Sequence, residues 1–101
     1  MTRKHLLCVL LRNTDIMRKV FLKALGINQP VNVAAKFYMP TRRRVDLTNL
    51  NEALHDILVH YGVLSDDNAK IIVSTDGSRV YWDKDNPRTE VIITAVEGTF
   101  R

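Results

Sequence analysis

Acidic and basic side chains stand close together in the middle of this chain. The segment RRRVDLTN, residues 42–49, sets three arginines directly before Asp46, and an acidic pair follows about one helix later at Asp66 and Asp67. Mg²⁺ is held in proteins by one or two carboxylates together with phosphate oxygens, and arginine side chains bind and position phosphates. A cation bound between the acids and a phosphate would screen the repulsion between these negative groups, while the arginines bind the phosphate. The pattern therefore predicts metal-assisted chemistry on a nucleic-acid backbone.

Each of these charges also fits an ordinary structural role. Carboxylates at the ends of elements often cap helices or close turns, so Asp46 can cap the following helix and Asp66-Asp67 can form a solvated turn. The run of three arginines can be a solvated surface. Two features favour metal-assisted chemistry over these structural roles. Asp66 and Asp67 are adjacent like charges, and the three arginines lie beside the carboxylate of Asp46.

The elements that position these residues are predicted from apolar spacing and from helix and strand boundaries. Residues 5–11 form an unbroken apolar run that fits either a strand or an extension of the next helix. The remaining predictions are a helix over 13–26, a strand over 31–39, a helix over 49–61 that begins with an Asn49–Glu52 capping box, a strand over 70–75, a short strand at 79–82 and a strand over 89–96.

This order of elements predicts an α/β (α+β) fold. We expect a small mixed sheet of three to four strands with two helices on one face, in a single domain over residues 1–101. The net charge of +4 favours an anionic partner, although many unrelated domains carry such a charge. The single cysteine, Cys8, and the lack of any apolar run of membrane-spanning length predict a soluble, cytoplasmic domain.

The stretch MPTRRRVDLTNLNEALHDILVHYGVLSDDNAKII resembles the RusA-type Holliday junction resolvases, small endonucleases of phages and prophages. The family signature is an Asp, a second Asp two residues later, an Asn, a Lys and a further Asp on the helix, and an Asp-Asp pair before the next strand. The positions that fall on this pattern are Asp46, Asn49, Leu50, Leu54, Asp56, Leu58, Asp66 and Asp67.

The resemblance implies an endodeoxyribonuclease that resolves four-way DNA junctions in recombination and repair, as a homodimer in the cytoplasm or nucleoid of a bacterial host. The implied cofactor is Mg²⁺, with Mn²⁺ as an alternative. The implied catalytic residues are Asp46, Asn49, Asp66 and Asp67, and the implied metal ligands are Asp46, Asp66 and Asp67, to which this chain adds Glu52 as a candidate ligand of its own. The implied DNA-binding residues are Arg42, Arg43, Arg44 and Lys70.

The chain departs from the signature at two positions. Thr48 stands where the second Asp is expected, and Glu52 stands where the Lys is expected. Glu52 lies one helical turn from Thr48 and can replace the missing carboxylate. The basic loop that precedes the first helix in the family is not found here, which indicates an N-terminally short or degenerate member. The alternatives are an inactive relative that binds branched DNA without cutting it and an unrelated basic nucleic-acid-binding or assembly protein.

The helix between the acids raises a geometric problem. A helix from Asn49 to Tyr61 is about 20 Å long, and the residues from Gly62 to Asp67 span at most about 20 Å. Either this loop runs straight back along the helix, or Asp46 of one protomer meets the acidic pair of its partner across a two-fold axis. Both arrangements stay open at this point.

The aromatic and histidine residues carry weaker signals. Tyr81 and Trp82 can stack on nucleic-acid bases, but such a pair is more often hairpin packing. His55 and His60 do not share a helical face well, so they are predicted to be surface or partly packed side chains.

Overall fold

The computed structural model describes residues 5–12 and 25–96 of the chain. Within this part the elements are strand β1 (His5–Arg12), strand β2 (Val31–Met39), helix α1 (Leu47–His60), strand β3 (Ile72–Ser74), strand β4 (Arg79–Trp82) and strand β5 (Arg88–Ala95). The α/β class predicted from the sequence is confirmed. The predicted helix over 13–26 falls mostly on residues outside the described part, and Leu25 and Gly26 are not helical.

The small mixed sheet predicted from the sequence is also confirmed. Four strands lie on its main path, in the order β1-β5-β2-β3, and β4 pairs with β2 as a fifth strand beyond the predicted number. The apolar run at 5–11 lies in strand β1. An unbroken apolar run has no period, so the sequence could not distinguish a strand from an extension of the next helix. β3 and β4 are two short strands that lie one after the other along the same edge of β2, and both run parallel to it.

β2 is the strand that organises the sheet. Its alternation holds as predicted, because Val31, Val33, Ala35 and Phe37 are buried while the residues between them are more accessible, apart from Asn32. β5 pairs antiparallel with β2 on the edge opposite to β3 and β4, and antiparallel with β1 on its own other edge. β4 and β5 are consecutive in sequence but lie on opposite sides of β2. The hairpin-packing interpretation of Tyr81 and Trp82 is therefore wrong.

Helix α1 packs one apolar stripe against the sheet. Leu54 and Leu58 are buried, and Leu47, Leu50 and Val59 pack against the same core. Ala53 and Tyr61, which the predicted apolar face included, are exposed. The helix ends at His60, and Gly62 follows with a φ of 75°, a left-handed conformation that glycine adopts without steric cost. This helix is neither long nor apolar enough to cross a membrane, and it is the only one in the described residues.

Two local networks hold the segments that leave this core. Ile27 pairs with Leu64 in a parallel bridge, and the Ser65 N–H donates to the Ile27 carbonyl at 2.9 Å, which anchors the chain just before the acidic pair. On the sheet edge, the buried Asn32 side chain bonds to Ser74 and to both backbone groups of Asp76. These bonds fix the turn between β3 and β4, and therefore the position of β4 beside β2.

Candidate active site

The arginine run lies between the end of β2 and the start of α1. Pro40 follows the last residue of β2, and Arg42, Arg43 and Arg44 are all exposed. The ion pairs among the described residues join Arg88 to Asp83 and Glu90, and they leave these three arginines out. The three arginines are therefore exposed and have no carboxylate partner in the described structure, as a phosphate-binding role requires.

Asp46 is the N-cap of α1. Its Oδ1 accepts a hydrogen bond from the Thr48 N–H at 2.9 Å, and its carbonyl accepts the first helical bond from the Leu50 N–H at 3.1 Å. The predicted Asn49–Glu52 capping box is wrong, because the helix begins three residues earlier than the box requires. The structural role of Asp46 as a cap is thus confirmed, and it leaves Oδ2 without a hydrogen bond among the described residues.

A shallow groove opens beside this cap. Its volume is about 460 Å³, and it is lined by Arg44, Val45, Asp46, Leu47 and Asn49. An acid, an amide and a guanidinium therefore border one space at the positive end of a helix dipole. Such a groove offers an anionic ligand a cation and an amide, and offers a divalent cation a carboxylate.

Neither of the two departures from the signature lines this groove. Thr48 and Glu52 are exposed, in the first and second turns of α1. Thr48 contributes its backbone N–H to the cap, and its side chain carries only a neutral hydroxyl. Position 48 thus holds no charge that could bind a metal ion.

The acidic pair lies in an exposed turn that its own side chains stabilise. Asp66 Oδ1 accepts from the Asp67 N–H at 2.7 Å, and Asp66 Oδ2 accepts from Asn68 Nδ2 at 3.1 Å. The Asp67 backbone N–H and the Asn68 amide together hold the pKa of Asp66 below its ordinary value. Both carboxylate oxygens of Asp66 are thus engaged locally, and the Asp67 side chain lies close enough to contribute to the same pKa shift.

Asp67 is near the middle of α1. Burial lowers the pKa of His55, and the charges of Asp67, Asp56 and Glu52 oppose that shift. The carboxylate of Asp67 is therefore within electrostatic range of the His55 side chain. At about 1.5 Å per residue, the backbone of His55 lies about 13 Å along the helix axis from Asp46.

The acids are not gathered into a complete site within one chain. Among the residues that the structure describes, no group of three or more His, Cys, Asp or Glu side chains is arranged to hold a metal ion. The donor chemistry still suits Mg²⁺, which commonly takes only one or two protein carboxylates and completes its shell with phosphate oxygens and water. Asp46 offers its Oδ2 for that purpose, and the exposed carboxylates of Asp67 and Glu52 are further candidates.

The remaining basic residue predicted to bind DNA is Lys70. It is exposed and follows the acidic turn, and its backbone N–H donates to Asn68 Oδ1 at 2.9 Å. It is therefore placed on the Asp67 side of the molecule, whereas the three arginines lie beside Asp46.

An aromatic and basic cluster on β2, β4 and β5 was not predicted from the sequence. Tyr38 and Tyr81 stack with ring centroids 4.9 Å apart, and the Arg88 guanidinium lies 3.8 Å from the centroid of Tyr38. The Arg42 guanidinium similarly covers the Trp82 ring at 4.4 Å. These contacts follow from the parallel pairing of β2 with β4, which joins segments about forty residues apart and gives no local signal.

A comparison with models of known protein families identifies the family of this chain. The family model described as endodeoxyribonuclease RusA matches residues 14–94. The chain belongs to the RusA family. This match includes the arginine run, the Asp46 cap, α1 and the acidic pair, so the resemblance seen in the sequence is confirmed. A search of curated proteins finds no match to the chain.

Membership of the RusA family removes one of the three functional alternatives. An unrelated basic binding or assembly protein would match the signature only by coincidence, and the match extends well beyond the signature, from residue 14 to residue 94. The alternatives that remain are a RusA-family endonuclease and a RusA-family protein that has kept DNA binding without cleavage.

Proposed function

We propose that this chain is a metal-dependent endodeoxyribonuclease that cuts branched DNA, with four-way junctions as its substrate. The observation that carries the proposal is the groove in which Asp46, Asn49 and Arg44 meet. It combines a carboxylate, an amide and a guanidinium at the site where the RusA-family signature has its first Asp and its Asn. Its neighbours Arg42 and Arg43 add unpaired positive charge on the approach to that groove.

In this proposal the arginines bind the DNA backbone and Asp46 faces one scissile phosphate. Arg44 borders the groove itself and contacts that phosphate, while Arg42 and Arg43 bind its neighbours. The Asn49 amide donates to a phosphate oxygen or orients the Asp46 carboxylate. Lys70 extends phosphate binding on the side of the acidic turn.

Mg²⁺ or Mn²⁺ would be held by Asp46 and Asp67, with Asp66 and Glu52 as further acids at the same site. Bound there, the cation supplies charge stabilisation at the scissile phosphate and activation of water. Asp66 holds the turn that presents Asp67, since both of its oxygens bond to the next two residues. Glu52 is exposed on α1 and close enough to His55 to affect its pKa, as Asp67 is.

We propose further that the working form is a homodimer. In one chain, Asp67 acts on His55 in the middle of α1, whereas Asp46 lies at the start of that helix. A two-fold axis that sets Asp46 of one protomer beside Asp67 of its partner would complete two equal sites. A four-way junction requires two such symmetric cuts. Light scattering should give the mass of a dimer at micromolar concentration, and a fully active monomer would contradict this arrangement.

The second candidate function is binding of branched DNA without cleavage. The observation that favours it is Thr48, an exposed neutral residue in the first turn of α1 where the family has an acid. The local hydrogen bonds of Asp66 also favour binding without cleavage, because both of its carboxylate oxygens are engaged within its own turn. In this candidate the arginines still hold DNA, and the acids act only as a helix cap and as a turn.

A cleavage assay separates the two candidates. A labelled four-way junction is incubated with the wild-type chain with and without Mg²⁺, beside Asp67→Asn and the control Asp85→Asn, which removes an exposed acid from the β4–β5 loop. The nuclease requires cutting that depends on Mg²⁺, is lost in Asp67→Asn and is retained in Asp85→Asn. Binding without cutting in all samples supports the second candidate. A strong gain of cleavage in Thr48→Asp would then identify position 48 as the cause.

A further inference from the structure

Trp82 is an exposed aromatic residue that the proposed chemistry does not use. It is 48% exposed, the largest exposure among the large hydrophobic residues of the described chain. It is the last residue of β4, and all four residues of that strand are exposed. An exposed tryptophan next to a basic segment is a recurrent feature of surfaces that bind unpaired nucleic acid.

The arginine run reaches this ring directly. Trp82 pairs in register with Met39 at the end of β2, and the Asp83 N–H donates to the Met39 carbonyl at 2.8 Å. The chain then leaves β2 through Pro40 and returns over the indole, where the Arg42 guanidinium lies 4.4 Å from the ring centroid. Trp82 as a whole stays 48% exposed even though the Arg42 guanidinium lies over its ring.

The surroundings of the ring are suited to a polyanion. Arg79 is exposed on the same strand, Lys84 is exposed two residues after the ring, and Arg43 is exposed next to Arg42. The carboxylate that adjoins Trp82 in the chain, Asp83, is already engaged with Arg88 at 2.8 Å. A phosphate beside a base placed on the ring would therefore meet positive charge, and the carboxylate of Asp83 would not compete for it.

The candidate active site and β4, the strand that ends at Trp82, border a common surface. A second groove, of about 520 Å³, runs beside β4 and is lined by Leu47, Gly77, Ser78, Arg79, Val80 and Tyr81. Leu47 also lines the groove that contains Asp46 and Arg44. The two grooves therefore adjoin at Leu47, and a strand of DNA lying across the candidate active site can continue along β4.

We infer that Trp82, with Arg42 as its cationic partner, stacks on a DNA base that is unstacked near the branch point while the adjoining backbone lies in the Asp46 groove. This inference rests on the proposed function, because it names what the same surface recognises. Tyr81 does not share this role, since its ring is already stacked on Tyr38. A base inside a continuous duplex has both faces covered, so the contact selects DNA that has an unpaired or unstacked base.

The chain offers a direct probe, because Trp82 is its only tryptophan. Intrinsic fluorescence of the wild-type chain is measured in EDTA against a four-way junction, a single strand and a linear duplex of matched sequence, while anisotropy of labelled DNA reports binding. We expect strong quenching by the junction and the single strand and weak quenching by the duplex at equal occupancy. Bound junction without a change of emission, or equal quenching by duplex, would overturn the inference.

Variants supply a second and independent test. Trp82→Ala should weaken binding of the junction by about 5- to 100-fold, the range measured for loss of one stacked base, and leave duplex binding within about twofold of wild type, since backbone contacts are retained. Tyr61→Ala is the matched control, because Tyr61 is an exposed aromatic residue at the C-terminal end of α1 and lines neither groove. Trp82→Phe should recover part of the affinity. Equal losses for junction and duplex in Trp82→Ala, or an equal loss in Tyr61→Ala, would refute the assignment.

Fluorescence, mass and cleavage measured on the same samples separate base stacking from the proposed nuclease activity. If emission changes with protein concentration alone and in step with the mass from light scattering, a second copy of the chain covers Trp82 and the inference fails. If Trp82 is quenched by the junction but no DNA is cut with Mg²⁺, base stacking stands and the nuclease proposal fails. If the junction is cut without quenching, the nuclease stands and base stacking fails.

Discussion

Replacing Asp46 separates its structural role from its proposed catalytic role. Its Oδ1 caps α1 through the Thr48 N–H, and the rest of the carboxylate borders the groove with Asn49 and Arg44. Asparagine caps helices about as well as aspartate, whereas alanine at this position costs about 1 kcal/mol. Asp46→Asn should therefore keep the cap and lose the carboxylate, and Asp46→Ala should lose both.

The magnitudes differ enough to be measured. Asp46→Asn should reduce the free energy of unfolding only by the helix-dipole contribution of one charge, about 0.5 kcal/mol. Asp46→Ala should reduce it by about 1 kcal/mol more, which lowers the Tm by about 4–8 °C for a chain of this size. The cleavage rates of Asp46→Asn and Asp46→Ala should be reduced equally, because both variants lose the carboxylate. Loss of about 3 kcal/mol of transition-state stabilisation slows cutting by about 100-fold in either case.

Urea denaturation followed by circular dichroism gives the free energies, and Mg²⁺-dependent cleavage of a labelled junction gives the rates. Thr48→Ala is the matched control, because it removes a neighbouring exposed side chain and retains the backbone N–H that the cap uses. If Asp46→Asn cuts at the wild-type rate, Asp46 serves only as a helix cap and the proposed metal site is wrong. If Asp46→Asn is as unstable as Asp46→Ala, the cap interpretation is wrong instead.

Three further predictions concern the core, the DNA contacts and the response to pH. Leu58→Ala should lower the free energy of unfolding by about 2–5 kcal/mol in urea denaturation, because Leu58 is fully buried; a loss below about 1 kcal/mol would contradict its core position. Arg43→Ala should reduce the slope of log affinity against log salt by about one, if Arg43 binds one phosphate, as measured by anisotropy with junction DNA. The guanidinium of Arg88, helped by the Asn86 N–H, holds the pKa of Asp83 below its ordinary value. This pair therefore stabilises the folded chain above about pH 4, the ordinary pKa of an aspartate. The stabilisation is lost as the pH falls through the lowered pKa of Asp83 in the folded state. Arg88→Ala should raise the pKa of Asp83 in an NMR titration, and an unchanged value would refute the pairing.

The parts of the fold that depend on local periodicity could be predicted from the sequence. The alternation of one apolar face up to Pro40 predicts β2 over 31–39, and the strand has those bounds. The stripe formed by Leu50, Leu54 and Leu58 likewise predicts α1. The predicted start of α1 is misplaced because Asn49 and Glu52 also fit a capping box, and a sequence pattern does not decide which of two possible caps bonds to the backbone.

The topology and the site geometry depend on contacts between distant residues. The pairing of β4 with β2 rather than β5 has no local signal, and it decides that Arg42 reaches Trp82. For the candidate site, the family signature predicts which residues matter. It does not predict that Asp66 uses both carboxylate oxygens within its own turn, because only the folded loop shows which donors lie within reach.

The position of β5 has a consequence for how the protein forms. β5 is the last described strand in the chain, yet it lies between β1 and β2, where His5 pairs with Thr94 and Val31 pairs with Ala95. Until β5 is inserted, the edges of β1 and β2 that it will occupy have no partner in the described sheet. The sheet is therefore completed through contacts of high sequence separation, which form slowly. A folding intermediate that already displays the arginines and Asp46 would lack the strand that joins β1 to β2, so the candidate site would be held in place only after β5 has been inserted.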